Sequence, residues 1–318
     1  MSDDREYVDP PDVASVLTLE TANLAPLTRP VLLVGLTGWF DVAGVATTAL
    51  EQLVPVDTAV TIAEIDADPF YDFTQERPLV EIDDGDIRSV HWPSNDFRLV
   101  RTGGAHDLVV LSGVEPHLAW RTYTGCIRTM VSALGCEAVV TVGANADAMP
   151  HSRVPLVIGS TSDPALGRRL ALAAPSYQGI TGLLGVLNAE LGDAGVPVIS
   201  LRVGVPHYLL HAEHPLAVTA LVRHLGHVLG LTLNVDLTEQ TERWRALHDE
   251  AIAEDEQLRG YVRMLEIEYD RRVEASVTSG DDLAARFEAF LRERDRIGDG
   301  EGDGNGGPDA PKEPHGGF

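Results

Sequence analysis

Between about residues 30 and 230 this chain predicts an α/β fold, a mostly parallel sheet sandwiched by helices. Two observations carry that prediction. Short apolar runs such as 31–36, 108–112 and 138–142 are bounded by turn residues and lack polar alternation, the pattern of strands buried on both faces. Between them lie longer segments with helical spacing of apolar residues, so strand and helix alternate.

In order, 31–36 reads as the first buried strand and 41–53 as a helix with Asp41 as its N-cap. Residues 58–65 form the next strand. The stretches 79–82, 87–92 and 97–101 are short, with Asp-Gly and Ser-Asn turns between them, and read as an antiparallel meander or hairpin. Strand 108–112 leads into helix 117–134, which Pro116 is placed to open. Strands 138–142 and 156–159, helices 164–173 and 180–193, strand 198–203 and helix 216–230 complete the core.

Beyond residue 235 the texture changes. Residues 238–275 are charge-rich, with Trp244, Leu247, Ala251, Leu258, Val262, Leu265 and Tyr269 at three- and four-residue steps, predicting one long amphipathic helix. Ser279 and Asp282 restart a helix carrying Leu283, Phe287, Phe290 and Leu291. The organisation expected is therefore an N-terminal arm (1–28), an α/β core (29–234), a charged helical hairpin (235–297) and a disordered acidic, Gly-rich tail (298–318).

Composition narrows the function. Forty-nine acidic against 24 basic residues give a net charge of −25, which repels nucleic acid and anionic membrane. The acidic start of the chain holds no signal-peptide pattern, and no apolar stretch reaches spanning length. Cys126 and Cys136 lack partners at metal-ligand spacing; with them the expected setting is a reducing cytoplasm. Lys312 is the only lysine, so the body carries no candidate for a Walker or Schiff-base lysine. There is no GxSxG elbow either. No catalytic residue, metal or cofactor is assigned.

Ionisable residues gather in loops expected at the carboxyl ends of strands, where open α/β sheets bind ligands. GVEPHLAWR (113–121) brings Glu115, His117, Trp120 and Arg121 after a buried strand. GLTGWFDVAG (35–44) supplies Asp41, YDFTQERP (71–78) Arg77, ADAMPHSRVP (146–155) His151 and Arg153, and VPHYLLHAEH (205–214) His207. Asp41, Arg77, Glu115, Arg121, His151, Arg153 and His207 form the candidate surface. As a pocket, the arginines would grip an anion and Glu115 with a histidine would move protons. As an interface, the same groups would cap helices and pair across loops or subunits. His207, His211 and His214 are poorly spaced for a metal, because Pro215 opens a new helix after the third.

Six of these motifs, GWFDVAG, YDFTQERP, GVEPHLAW, DAMPHSRVP, GITGLLG (179–185) and VPHY, stand in an order that resembles the PAC2 (proteasome assembly chaperone 2-like) family across residues 30–230. The charged C-terminal extension resembles its actinobacterial branch. The resemblance implies a nucleoside-phosphorylase-like α/β sandwich, a homo-oligomer with a trimer favoured, and a role in assembling proteasome-type or other complexes with a protein client. It names no catalytic residues. The chain ends His315-Gly-Gly-Phe318 and lacks the penultimate tyrosine of a tail-docking motif. The alternative is a small-molecule enzyme or binder using the strand-end Arg, His and carboxylate groups.

Overall fold

The computed structural model describes residues 11–20, 24–55, 58–83, 87–233 and 235–277. A one-turn helix α1 (Val13–Val16) and edge strand β1 (Leu17–Leu19) precede the first buried strand β2 (Val31–Thr37), six of whose seven residues are buried. A 3-10 turn (Val42–Gly44) leads into α2 (Val45–Glu51), and β3 (Val60–Ile65) follows. The short strands β4 (Leu79–Asp83), β5 (Ile87–His91) and β6 (Asn95–Val100) come next, then β7 (Leu108–Val114) and α3 (Trp120–Leu134). The core continues with β8 (Ala138–Asp147), β9 (Val157–Thr161), α4 (Pro164–Leu170), α5 (Leu183–Asp193), β10 (Val198–Pro206) and α6 (Pro215–Leu229). Helices α7 (Thr238–Ala253) and α8 (Glu256–Val277) close the described chain.

Eight strands form one sheet in the order β1-β3-β6-β7-β2-β8-β10-β9. Its centre, β7-β2-β8-β10, is parallel. The flanks are antiparallel: β6 pairs β7, β3 pairs β6, β1 pairs β3, and β9 pairs β10. The α/β class and the parallel centre follow the apolar runs. The meander resolves into β6, which joins the sheet, and a separate two-stranded hairpin of β4 and β5.

Alternation along the strands feeds two cores. Leu32, Val34 and Leu36 of β2 face one core with Phe97, Tyr123, Ile127 and Leu187, under α3 and α5. Val31 and Leu33 face the other with Ala49, Leu50, Leu221 and Leu225, under α2 and α6. Gly35 lies where a Cβ would sit 2.8 Å from Leu50 Cδ1 and 2.9 Å from Val142, so a side chain there would force α2 off the sheet.

The long helix expected over 238–275 is two helices. Asp255 breaks it, because its carboxylate accepts from the backbone N–H of Gln257 (2.8 Å) and Leu258 (3.1 Å) and so caps the start of α8. Residues as far as Glu266 form one compact unit with the sheet; a second unit begins at Ile267. Within that second unit Arg272 stacks on Tyr269, 5.6 Å from the ring centroid. The helix expected from residue 282 and the tail lie outside the described residues. No helix among the described residues is long and apolar enough to cross a membrane.

Candidate functional site

Glu115 follows directly on β7, where the parallel centre of the sheet ends. Its carboxylate accepts from Trp39 N–H (3.2 Å) and Leu183 N–H (2.7 Å) and so ties the loop after β2 to the first turn of α5. The glycines of two sequence motifs exist to admit it. A Cβ at Gly38, where φ is +138°, would lie 2.8 Å from the carboxylate, and one at Gly182 2.9 Å from it. A cleft of about 660 Å³ opens beside it, lined by Glu76, Glu115, His117 and Trp120 among others.

Below the cleft, Asn95 is buried between β6 and β7. Its Oδ1 accepts from Val114 N–H (3.0 Å), its Nδ2 donates to the Tyr71 hydroxyl, and Tyr71 donates to Val114 O (2.7 Å). Burial pushes the Tyr71 phenol well above its ordinary range. The 70–77 loop is held to the start of α3 by main-chain bonds from His117 and Leu118 to Phe70 O, while Asp72 N–H donates to His117 Nδ1 (3.1 Å). Asp72 accepts from Thr74 and Gln75, and those bonds hold its carboxyl down at about 2. Trp120 is fixed by donating to Pro116 O at 2.6 Å.

Asp41 lies under the opening of α2. It accepts from Ala46 N–H (2.6 Å) and the Thr47 hydroxyl (2.5 Å), so it serves the first turn of α2 from beyond the 3-10 turn, while the N-cap residue itself is Gly44 and not Asp41 as the sequence predicts. Burial raises its pKa, and the Thr47 and Ala46 bonds oppose the rise. Arg77 and Arg121 are exposed. The structure therefore gathers Glu115 with Glu76, His117 and Trp120, and leaves Asp41 in a cap and the two arginines at the surface.

The remaining three candidates meet at the other half of the edge, after β8 and β10, beneath α7 and the first part of α8. His151 is only 2% exposed. The Tyr208 hydroxyl accepts from His151 N–H and lies 2.8 Å from Nδ1, so its own proton points to Nδ1. His151 Nε2–H then donates to Asp249 of α7 at 3.0 Å. His207 Nδ1–H donates to Asp147 O (3.1 Å), and its Nε2 accepts from Tyr261 of α8 (2.8 Å). Ser152 donates to Glu266 at 2.5 Å, and Arg153 pairs with the same carboxylate at 3.2 Å. Trp244 lies between His214 and His248, with ring centroids 4.3 and 4.5 Å away. His214 Nδ1 accepts from Ala217 N–H and caps α6, and burial lowers its pKa to about 4, helped by His248 and His151.

The Asp249–His151–Tyr208 chain has the connectivity of a proton relay, but the phenol at its end is poorly placed to be a nucleophile. It accepts from a backbone N–H, and burial pushes its pKa up to about 12. These contacts dock α7 and the part of α8 up to Glu266 onto the loops. Among the described residues no cluster of His, Cys, Asp and Glu has metal-site geometry. Cys126 and Cys136 are free thiols, pushed by burial to about 11 and 12. Asn95, Asp249 and Tyr261 were outside the sequence candidates; their partners lie 19 to 98 residues away along the chain.

Residues 35–252 match the model of the PAC2 family. This chain belongs to the PAC2 family. It is similar to a PAC2 family protein from Streptomyces avermitilis, 34% identical over 73% of this chain and 99% of that one, with a TM-score of 0.67. A Mycobacterium tuberculosis proteasome-assembly chaperone homologue is 33% identical over 73% of this chain and 99% of that one, with a TM-score of 0.65. A Corynebacterium glutamicum protein of unknown function shares the fold at 24% identity, over 82% of this chain and 98% of that one, with a TM-score of 0.73. None of the curated proteins matches this chain. The PAC2 motifs map onto the two halves described above: GWFDVAG, YDFTQERP, GVEPHLAW and GITGLLG around Glu115, DAMPHSRVP and VPHY around His151.

Proposed function

We propose that this PAC2 protein is a homo-oligomeric interaction factor, a trimer in its simplest form, that assists assembly of a proteasome-type or similar protein complex in the cytoplasm. The observation that carries this reading is the apolar surface left uncovered within the described unit. Trp39 (61% exposed), Leu118 and Ile180 (76% exposed) stand out from the loops around Glu115, and Val80, Ile82, Val90 and Trp92 from the β4–β5 hairpin. Exposed aromatic and aliphatic side chains of this size mark protein contact surfaces. The relative from Mycobacterium tuberculosis, described as a proteasome-assembly chaperone homologue, supports the same direction.

Native mass spectrometry of the protein from its own host tests it. The expected result is a homo-oligomer, alone or with assembly subunits, which Trp39→Ser combined with Leu118→Ser disperses without lowering the unfolding temperature. A monomer that the double variant leaves unchanged overturns it. A second reading, small-molecule binding, draws on the cleft beside Glu115, and a retained ligand at one per subunit would establish it.

A further inference from the structure

The hairpin of β4 and β5 stands apart from the main sheet and has no second layer. Its register pairs Val80 with Val90 and Glu81 with Ser89. Strand alternation therefore puts Val80, Ile82 and Val90 on one face, and Leu79, Glu81, Ser89 and His91 on the other. Every described side chain of the two strands is exposed, Ile82 at 62%. A free-standing two-stranded hairpin is marginal in water, and an apolar strand face is stable when another layer packs on it. The base is fixed, because Trp92 packs edge-on against Phe73 with ring centroids 4.9 Å apart. What projects is an arm, held at its root and bare along its apolar face.

The opposite flank of the sheet offers a surface of the same kind. β9 is the edge strand at the far end of the strand order. Val157 packs into the core under α2 and α6, so Leu156 and Ile158 turn to the other face. Leu156 O accepts from Gly204 N–H (3.4 Å), which carries the ladder one residue past Val157 and keeps Leu156 in the alternation. Both side chains are exposed, Ile158 at 68%. Residues 154–162 carry no charge at all, in a chain rich in acids. An apolar edge strand is a template for association unless something covers it.

The hairpin leads into β6, and β6 and β9 are five strand spacings apart, about 24 Å. Both surfaces are bare, so one chain does not bring its own two together. Charge selects how two copies meet. Hairpin on hairpin sets Glu81, Asp83, Asp84 and Asp86 against the same acids, with Arg88 the one arginine to offset them. The flank that carries β9 has the opposite sign. Arg202 stands beside Ile158 in the register, on the same face, and Arg168 and Arg169 lie in the last turn of α4. Between the end of β8 and the end of α4 the acid is Asp163, and its carboxylate is engaged by Ala165 and Leu166 N–H. For a chain of net charge −25, contact between these unlike flanks is the one that relieves repulsion between copies.

We propose that the β4–β5 hairpin of one copy docks its apolar face on Leu156 and Ile158 of β9 in a second copy of this chain. The contact joins unlike surfaces, so each copy both gives a hairpin and receives one. This assignment rests on the homo-oligomeric reading and names the surfaces that build the oligomer.

Two full-length variants test it. Val80→Thr with Ile82→Thr removes the apolar face of the hairpin and keeps β-branched residues in the strand. Ile158→Glu sets a carboxylate opposite the acidic hairpin, at a position already exposed. Sedimentation velocity at matched concentrations reads association, and thermal unfolding checks that each variant keeps its fold; Val90→Thr and Leu156→Thr replace either one that does not. Each variant alone is expected to associate roughly tenfold or more weakly than the wild type. Mixed in equal amounts, with one isotope-labelled for native mass spectrometry, they are expected to form pairs holding one of each. The intact hairpin of the Ile158→Glu copy then meets the intact β9 of the other. Variants that associate as the wild type does, or monomeric variants that form no mixed pair, overturn the contact while a wild-type oligomer keeps the homo-oligomeric reading. A wild type that stays monomeric overturns both.

Discussion

At the carboxyl ends of β2 and β7 the loops are cross-linked by one carboxylate and stay open to solvent, whereas at β8 and β10 they lie under a second layer of helices. The two halves start from similar material, polar loops rich in His, Glu and Arg. Glu115 needs only backbone N–H groups from two neighbouring loops, so its half closes itself and leaves Trp39 and Leu118 outside. His151, His207 and Arg153 find their partners in α7 and α8, so their half is complete only when those helices are docked. One edge of a sheet thus divides into an exposed surface and a buried joint, according to where the hydrogen-bond partners come from.

Breaking the joint has the largest expected effect. His151→Ala removes a buried ring and takes away the acceptor for the Tyr208 proton and the donor to Asp249, while the backbone N–H at 151 still reaches the Tyr208 hydroxyl, at a cost of about 3 kcal/mol. Urea unfolding measures the loss, and hydrogen exchange should show it concentrated in α7 and the part of α8 up to Glu266, with α5 unchanged. If α5 exchanges as readily as α7, the two halves are not independent.

Glu115→Ala is the matching test on the open half. Two backbone N–H groups lose a charged acceptor, for about 2 kcal/mol, and exchange should rise at Trp39 and Leu183 while α7 stays protected. Glu115→Gln, which keeps one acceptor oxygen, should recover part of it.

Acid sharpens the contrast by the smallest amount per step. His214 has a folded pKa near 4, below its ordinary 6.5, so the unfolded chain binds more protons between those values. Stability is therefore full above about pH 6.5 and falls as pH drops towards 4, by at most about 1.4 kcal/mol per pH unit. His214→Asn, which keeps an acceptor for Ala217 N–H, should flatten that slope in denaturation curves taken between pH 4 and 7. A slope unchanged by the substitution would assign the acid sensitivity to other groups.

Much of this arrangement is legible in the sequence because it is local. Buried runs declare the parallel strands, Asp41 stands before its helix, and Pro215 opens α6; Pro116, expected to open the helix at 117, stands ahead of α3, which starts only at Trp120 after Ala119 in the left-handed region. Direction is not local: apolar runs at 97–101 and 156–159 read alike whether a strand runs with its neighbours or against them, and β6 and β9 run against. The break at Asp255 carried a readable signal, an aspartate two residues before a backbone donor, hidden by unbroken helical spacing on both sides. The candidate residues were found by their loops, but their grouping was set by partners far along the chain.

The bond between His151 and Asp249 spans 98 residues of chain. On a ribosome, β8 and β10 and their histidine loops emerge well before α7 can cover them. At a synthesis rate of about 5–20 residues per second, the interval between His151 and Asp249 lasts roughly 5–20 s. His151 waits through all of it and Tyr208 and His214 only through its later part, so synthesis of α7 sets when this end of the domain becomes inert to its surroundings.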